Sequence, residues 1–237
     1  MPRMNNATSD AAVAAPLETV EIETGPQPAW TVLWLHGLGD SGEGWAPVVP
    51  ELVRKDWPAL RFVFPHAPVR AVTINNGARM RAWYDIRDFQ DLANRADEAG
   101  VEESVAQVEA LIAREAGRGV PAARVILAGF SQGGAIALAA GLRRREPLAG
   151  LIALSTYLPM ADRLVREAAP AASAQPLFMA HGSYDPVVPF QGGEMAAARL
   201  RTLGFNIDWH TYPMAHQACA EEIDAVAAWL SQRFAAA

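Results

Sequence analysis

The stretch Gly129-Phe130-Ser131-Gln132-Gly133 joins two runs of different character. Before it, Arg124-Val125-Ile126-Leu127-Ala128 is an apolar run of strand type. After it, Gly134-Ala135-Ile136-Ala137-Leu138-Ala139-Ala140 is Ala-rich and of helix type. Small residues flanking a serine at a strand-to-helix turn let the backbone bend sharply. The bend lifts the hydroxyl above the end of a sheet, where a reactant can reach it. The stretch therefore predicts an α/β fold and makes Ser131 a candidate nucleophile.

Working outward, strand-type and helix-type segments alternate along the chain, with no internal repeat or linker dividing it. Thr19-Val20-Glu21-Ile22-Glu23-Thr24 alternates apolar and polar residues, as an edge strand does. Trp30 to Leu35, Arg61 to Phe64, Leu151 to Leu154 and Leu177 to Ala180 are nearly continuous apolar runs. Such runs mark strands covered on both faces, which is the habit of parallel sheets. Val101, Val105, Val108 and Ile112 form one helical stripe, and Ile223, Val226, Ala227, Leu230 and Phe234 form another. The pattern predicts a single doubly wound, mostly parallel sheet with helices on both faces. Residues 17–237 are expected to form that one domain, preceded by a mobile tail over residues 1–16.

Composition narrows the partners. Residues of hydrophobic type make up 51% of the chain and charged residues 19%, so a large core is expected rather than disorder. A net charge of -6 argues against nucleic acid or an anionic membrane surface as partner. Cys219 is the single cysteine, so neither an internal disulfide nor a cysteine metal site is expected. No apolar run approaches the ~20 residues of a membrane span. Ala11 to Ala15 is too short for a signal-peptide core, so the cytoplasm is the expected compartment.

A serine hydroxyl needs a base to take its proton and a carboxylate to orient that base. In strand–turn–helix nucleophile folds these follow in the order serine, acid, histidine. Downstream of Ser131, Asp185 lies just past the run Leu177 to Ala180, in a turn closed by Pro186. His216 lies past the run Ile207 to Tyr212 and before the last helix. Ser131, Asp185 and His216 are therefore the expected triad. Asp208 and His210 fall within the last strand on its polar face, and Asp162 follows no strand. His181 is read as a turn residue supporting the Asp185 loop, His66 as a loop histidine, and Cys219 as packing in the last helix. The anionic tetrahedral intermediate needs two N–H donors. One is expected from Gln132, the residue after the nucleophile, and the other from Leu38 in the glycine-rich loop His36-Gly37-Leu38-Gly39-Asp40.

At these residues the chain resembles the phospholipase/carboxylesterase family of α/β-hydrolases, which includes acyl-protein thioesterases and small bacterial carboxylesterases. The matching pieces are Leu35-His36-Gly37-Leu38-Gly39-Asp40, Pro65-His66-Ala67-Pro68, Ala82-Trp83-Tyr84-Asp85-Ile86 and Ala128 to Gly134. Ala153 to Pro159, His181 to Val188 and Tyr212-Pro213-Met214-Ala215-His216 complete them. The resemblance implies the α/β-hydrolase fold, the same triad, and oxyanion amides at Leu38 and Gln132. It also implies a place for Trp83 near the acyl pocket, no metal or organic cofactor, and a homodimer. Thr73 to Gly77 is closer to the bacterial carboxylesterase branch. The chain departs from the family in carrying Ala215, where a glycine usually precedes the histidine.

The expected activity is hydrolysis of small to medium carboxylic esters through an acyl-enzyme, with thioesters admitted. An acyl-protein thioesterase or lysophospholipase acting on long chains is the nearest rival. A ligand-binding protein that keeps the fold without catalysis is the rival from another class. Met160 to Gln175 is too short for a large lid, which predicts an open site.

Overall fold

Trp30 to Leu35 carries apolar side chains at almost every position, so both faces of this strand must be covered. In the computed structural model, which describes residues 16–88 and 95–235, this strand (β2) lies within a seven-stranded sheet. The expected tail over residues 1–16 falls, apart from Pro16, outside the described residues. The other strands of the sheet are β1 (Thr19–Glu23), β3 (Leu60–Pro65), β6 (Val125–Phe130), β7 (Gly150–Leu154), β8 (Leu177–Gly182) and β9 (Ile207–Tyr212). Their order is β1-β3-β2-β6-β7-β8-β9. Only β1 runs antiparallel to its neighbour, and it lies at the edge, as its alternating sequence predicts.

The helices are α1 (Gly42–Trp45), α2 (Val49–Leu52), α3 (Glu98–Gly117), α4 (Gln132–Arg143), α5 (Ala161–Glu167), α6 (Phe190–Thr202) and α7 (Ala220–Ala235). Alternate residues of the inner strands supply two cores. Leu33, Leu35, Val63 and Leu127 pack with Val101, Val108 and Ile112 of α3 and with the apolar residues of α4. Val32, Trp34, Phe62 and Phe64 pack on the other face with Leu52 of α2 and Val226 and Leu230 of α7. Each such side chain buried against both sheet and helix contributes roughly 1.5–3 kcal/mol. Asp97 caps α3 by accepting from the Gly100 N–H at 3.1 Å.

One element was not foreseen from the apolar pattern: a hairpin of β4 (Val69–Val72) and β5 (Ala78–Arg81) outside the main sheet. Its strands are half-exposed and carry arginines, so they lack the signature of a buried strand. Its turn does have a legible signal. Asn76 and Gly77 both adopt positive φ, 53° and 75°, as Asn-Gly turns do.

The chain leaves β2 toward β3 on one side and reaches β6 on the other, so the strand order reverses at β2 and β6. Ligand sites of open α/β sheets lie beyond the carboxyl ends of the strands at such a reversal. Leu35 pairs with Gly129 there, which places the loop after Leu35 beside the turn at Ser131.

Candidate active site

Ser131 follows β6 with φ 54° and ψ −118°, a backbone state that costs an L-residue of order 1–3 kcal/mol. The surrounding packing enforces it. The Ser131 N–H donates to Leu154 O at 2.8 Å, and Thr156 Oγ1 donates to Ser131 O at 2.7 Å. The flanking glycines are there for space: a Cβ on Gly129 would meet Gly133 C at 2.4 Å, and one on Gly133 would meet Leu35 O at 2.3 Å. No side chain at either position would let α4 start this close to β2 and β6.

His216 Nε2 lies 2.8 Å from Ser131 Oγ, and His216 Nδ1 lies 2.7 Å from Asp185 Oδ2. Nδ1–H donates to the carboxylate, which leaves the Nε2 lone pair facing the serine hydroxyl. The other carboxylate oxygen, Oδ1, accepts from Val187 N–H at 2.8 Å and Val188 N–H at 2.9 Å. Burial by itself would push the Asp185 carboxyl up. The bonds from His216, Val188 and Val187 outweigh it and hold the group below its ordinary value, so it stays ionised. The three residues come from the ends of β6, β8 and β9. Ala215 has negative φ, so its methyl is accommodated and His216 still reaches both partners. Gly182 makes room for this loop, since a Cβ there would lie 2.4 Å from Met214 O.

Leu38, in the loop after β2, lines the same cleft as Ser131, and Gln132 takes the first position of α4 directly after the serine. Among the described residues, neither backbone N–H has an acceptor within the protein. Such amides are free to bind an oxyanion.

The remaining histidines fall where a structural role suits them. His181 Nε2–H donates to Val188 O at 2.9 Å and lies 3.5 Å from Asp185 Oδ2, bracing the acid loop. Burial holds it below the usual imidazole value. His66 Nδ1 accepts from Gly42 N–H at 3.1 Å, at the start of α1. His210 pairs with Asp208 at 2.9 Å on the polar side of β9, and exposed Asp162 pairs with Arg199. Cys219 lies just before α7, and burial raises its thiol.

A cleft of about 580 Å³ opens above Ser131 and His216. Its walls are largely apolar: Leu38, Trp45, Val48, Phe130, Val187 and Ile223. Phe130 also lies against His216, with ring centroids 4.9 Å apart. Trp83 does not line this cleft. It is fully buried behind the Leu38 loop, where its indole Nε1–H donates to His36 O at 2.8 Å. Trp45, Val48 and Ile223 were not foreseen as cleft residues. The first two lie in short helical turns without periodicity, and Ile223 reads as one more member of the α7 stripe. The segment from Met160 to Gln175 does not line the cleft either.

A doubly wound sheet with this turn and these strand-end loops is an α/β-hydrolase fold. The phospholipase/carboxylesterase family profile matches residues 17–233, and the chain belongs to that family. It is 42% identical over 212 residues to acyl-protein thioesterase 1 of Neurospora crassa, covering 86% of each chain. Among solved structures it is similar to Arabidopsis thaliana SOBER1, with a TM-score of 0.81 and 32% identity over 86% of this chain and 98% of that one. It is also similar to esterase PE8, with a TM-score of 0.80 and 30% identity over 92% and 99%. The chain is accordingly a hydrolase of carboxylic esters or thioesters. No helix among the described residues is long and apolar enough to cross a membrane.

Proposed function

We propose that residues 17–237 form one catalytic domain that cleaves acyl thioesters, and esters of similar acyl groups, through an acyl-Ser131 intermediate. The observation that carries this reading is the hydrogen-bonded line Ser131–His216–Asp185 at the floor of an apolar cleft. His216 Nε2 takes the proton as Ser131 Oγ attacks the acyl carbon. The carbonyl oxygen, now anionic, is held by the Leu38 and Gln132 amides. His216 then protonates the leaving thiol or alcohol. Water enters, gives its proton to His216 and attacks the acyl-enzyme, which releases the acid and restores Ser131. Asp185 stays ionised throughout, fixing the tautomer of His216 and stabilising its charged form.

Likeness to acyl-protein thioesterase 1 favours the thioesterase reading, with long acyl groups, over the small to medium esters expected from the sequence alone. The size and apolar walls of the cleft suit such a chain. We place the protein's work in the cytoplasm, a reducing compartment that suits a chain whose single cysteine is Cys219. Hydrolysis of smaller esters is the second reading, supported by the likeness to esterase PE8.

A series of p-nitrophenyl esters from acetyl to palmitoyl, run beside an S-palmitoylated peptide, separates the two. The expected outcome is a preference for long chains with release of the peptide thiol. A preference for acetyl esters with an untouched thioester would favour the second reading. Ser131→Ala should abolish both hydrolysis and fluorophosphonate labelling. Full hydrolysis by that variant would overturn the site, and a folded wild-type protein that takes no label would point to a non-catalytic binder.

A further inference from the structure

The two amides assigned to the oxyanion belong to segments far apart in sequence, and an unbroken chain of buried hydrogen bonds connects them. It starts at the Gln132 side chain. Oε1 accepts from Trp83 N–H at 2.8 Å, and Nε2 donates to Tyr84 O at 2.7 Å, so one carboxamide grips two successive peptides. The Trp83 indole N–H then donates to His36 O at 2.8 Å. The His36 ring continues the chain. Its Nε2 accepts from Ala67 N–H at 3.0 Å, which leaves the proton on Nδ1. That Nδ1–H donates to Gly37 O at 2.7 Å.

The last bond matters most, because Gly37 C=O and Leu38 N–H belong to one planar peptide. Fixing the carbonyl on one side aims the N–H to the other. A glycine precedes this peptide, so the local backbone does little to resist its rotation. Trp83 is itself held from behind, since Ser104 Oγ donates to Trp83 O. Gln132, Trp83 and His36 are 2%, 0% and 0% exposed, so these bonds do not compete with water.

We propose that Gln132, Trp83 and His36 are positioning residues that set the spacing and aim of the Leu38 and Gln132 amides toward the oxyanion. Gln132 thus has two roles: its backbone N–H binds the charge, and its side chain ties that donor to the opposite one. The inference rests on the serine-hydrolase reading and on the assignment of those two amides. Trp83, expected at the acyl pocket, acts here through His36 without meeting the substrate.

The test uses Trp83→Phe, which keeps an aromatic ring and removes only the indole N–H, and Gln132→Met, which keeps side-chain length and removes the grip. Removing one oxyanion donor outright costs ~100- to 1,000-fold in rate, so misaiming it should cost about 10- to 100-fold in kcat. KM should stay within about twofold, since the misaimed amide matters in the transition state and not in substrate binding. Affinity for an alkyl trifluoromethyl ketone, whose serine adduct carries an oxyanion, should fall by the same factor as kcat/KM. The acidic limb of the pH–rate profile should not move, because the triad is untouched. Since the bonds act in series, the double variant should be little worse than the poorer single one.

Wild-type kcat in either folded variant overturns the proposal, as does a loss confined to KM or a loss with unchanged ketone affinity. If Trp83→Phe does not fold, Gln132→Met decides by the same readouts. Ser131→Ala keeps the two levels apart. If it is inactive while the brace variants behave as wild type, the brace fails and the serine-hydrolase reading stands.

Discussion

Glu222 sits in the first turn of α7 with no exposed surface, and among the described residues neither carboxylate oxygen has a hydrogen-bond partner. Burial pushes its carboxyl from the ordinary 4.5 up to about 8. The positive end of the helix dipole opposes this rise and is too weak to cancel it. Below pH 4.5 the group is neutral in both folded and unfolded chains. As pH rises from there, the unfolded chain gives up its proton while the folded chain keeps it. Stability therefore falls by about 1.4 kcal/mol for each pH unit until the folded group also ionises near pH 8, where the loss levels off. The full loss is about 5 kcal/mol, comparable to the whole stability of a marginal domain. Glu222→Gln replaces the carboxyl with a neutral group of the same shape and should abolish this loss. Urea denaturation at intervals from pH 5 to about pH 9.5 would measure it. The variant should match the wild type within ~1 kcal/mol at pH 5 and exceed it by about 4–5 kcal/mol at the alkaline end. Titrating groups remote from Glu222 are common to both proteins and cancel in the difference; the Glu222 charge also raises Cys219 and Tyr212, so their coupling adds to the difference only at the alkaline edge of the range. A difference that stays flat across the range would refute the account of an unpartnered, buried carboxyl.

Two further outcomes test the site. Asp185→Asn can still accept from the Val187 and Val188 amides through Oδ1, so the fold should survive. Its carboxamide would no longer hold His216 in the working tautomer, and kcat should fall ~10,000-fold with little change in melting temperature, as ester kinetics and a thermal melt would show. Gly133→Ala would drive a methyl to 2.3 Å from Leu35 O and 2.6 Å from His36 O, both of them backbone atoms. The soluble yield should collapse, or the midpoint should fall by an amount matching more than ~4 kcal/mol, and a normal melt with normal kcat would contradict the packing argument.

The limits of reading the chain alone follow the range of the interactions involved. Apolar runs foretold the five inner strands β2, β3, β6, β7 and β8 because burial on both faces leaves its mark within a few residues, and the apolar–polar alternation of Thr19 to Thr24 foretold the edge strand β1. The hairpin at residues 69–81 was missed because half-exposed strands leave no such mark, although its Asn-Gly turn does. Ser131, Asp185 and His216 could be picked out because each lies just past a strand, and parallel strands gather their carboxyl ends on one side. Ile223 belongs to the α7 stripe and still borders the cleft, because periodicity names a helix face and does not say what faces its end.

By itself, then, the sequence determined the strained turn at Ser131, the alternation of strands and helices, and the order of the three strand-end residues. These depend on backbone sterics, small side chains and local apolar spacing, which act over a few positions. The tertiary structure alone decided which loops meet. Register between β2 and β6 sets Leu35 against Gly129 and so brings the Leu38 loop to the serine. Packing brought His216 to Ser131 across 85 positions and the Gln132 side chain to Trp83 across 49. It also turned Trp83 away from the cleft, since its indole N–H, once buried, needed an acceptor and found it in His36 O. No local propensity encodes such pairings; they exist only after the sheet has formed and the helices have closed on both its faces.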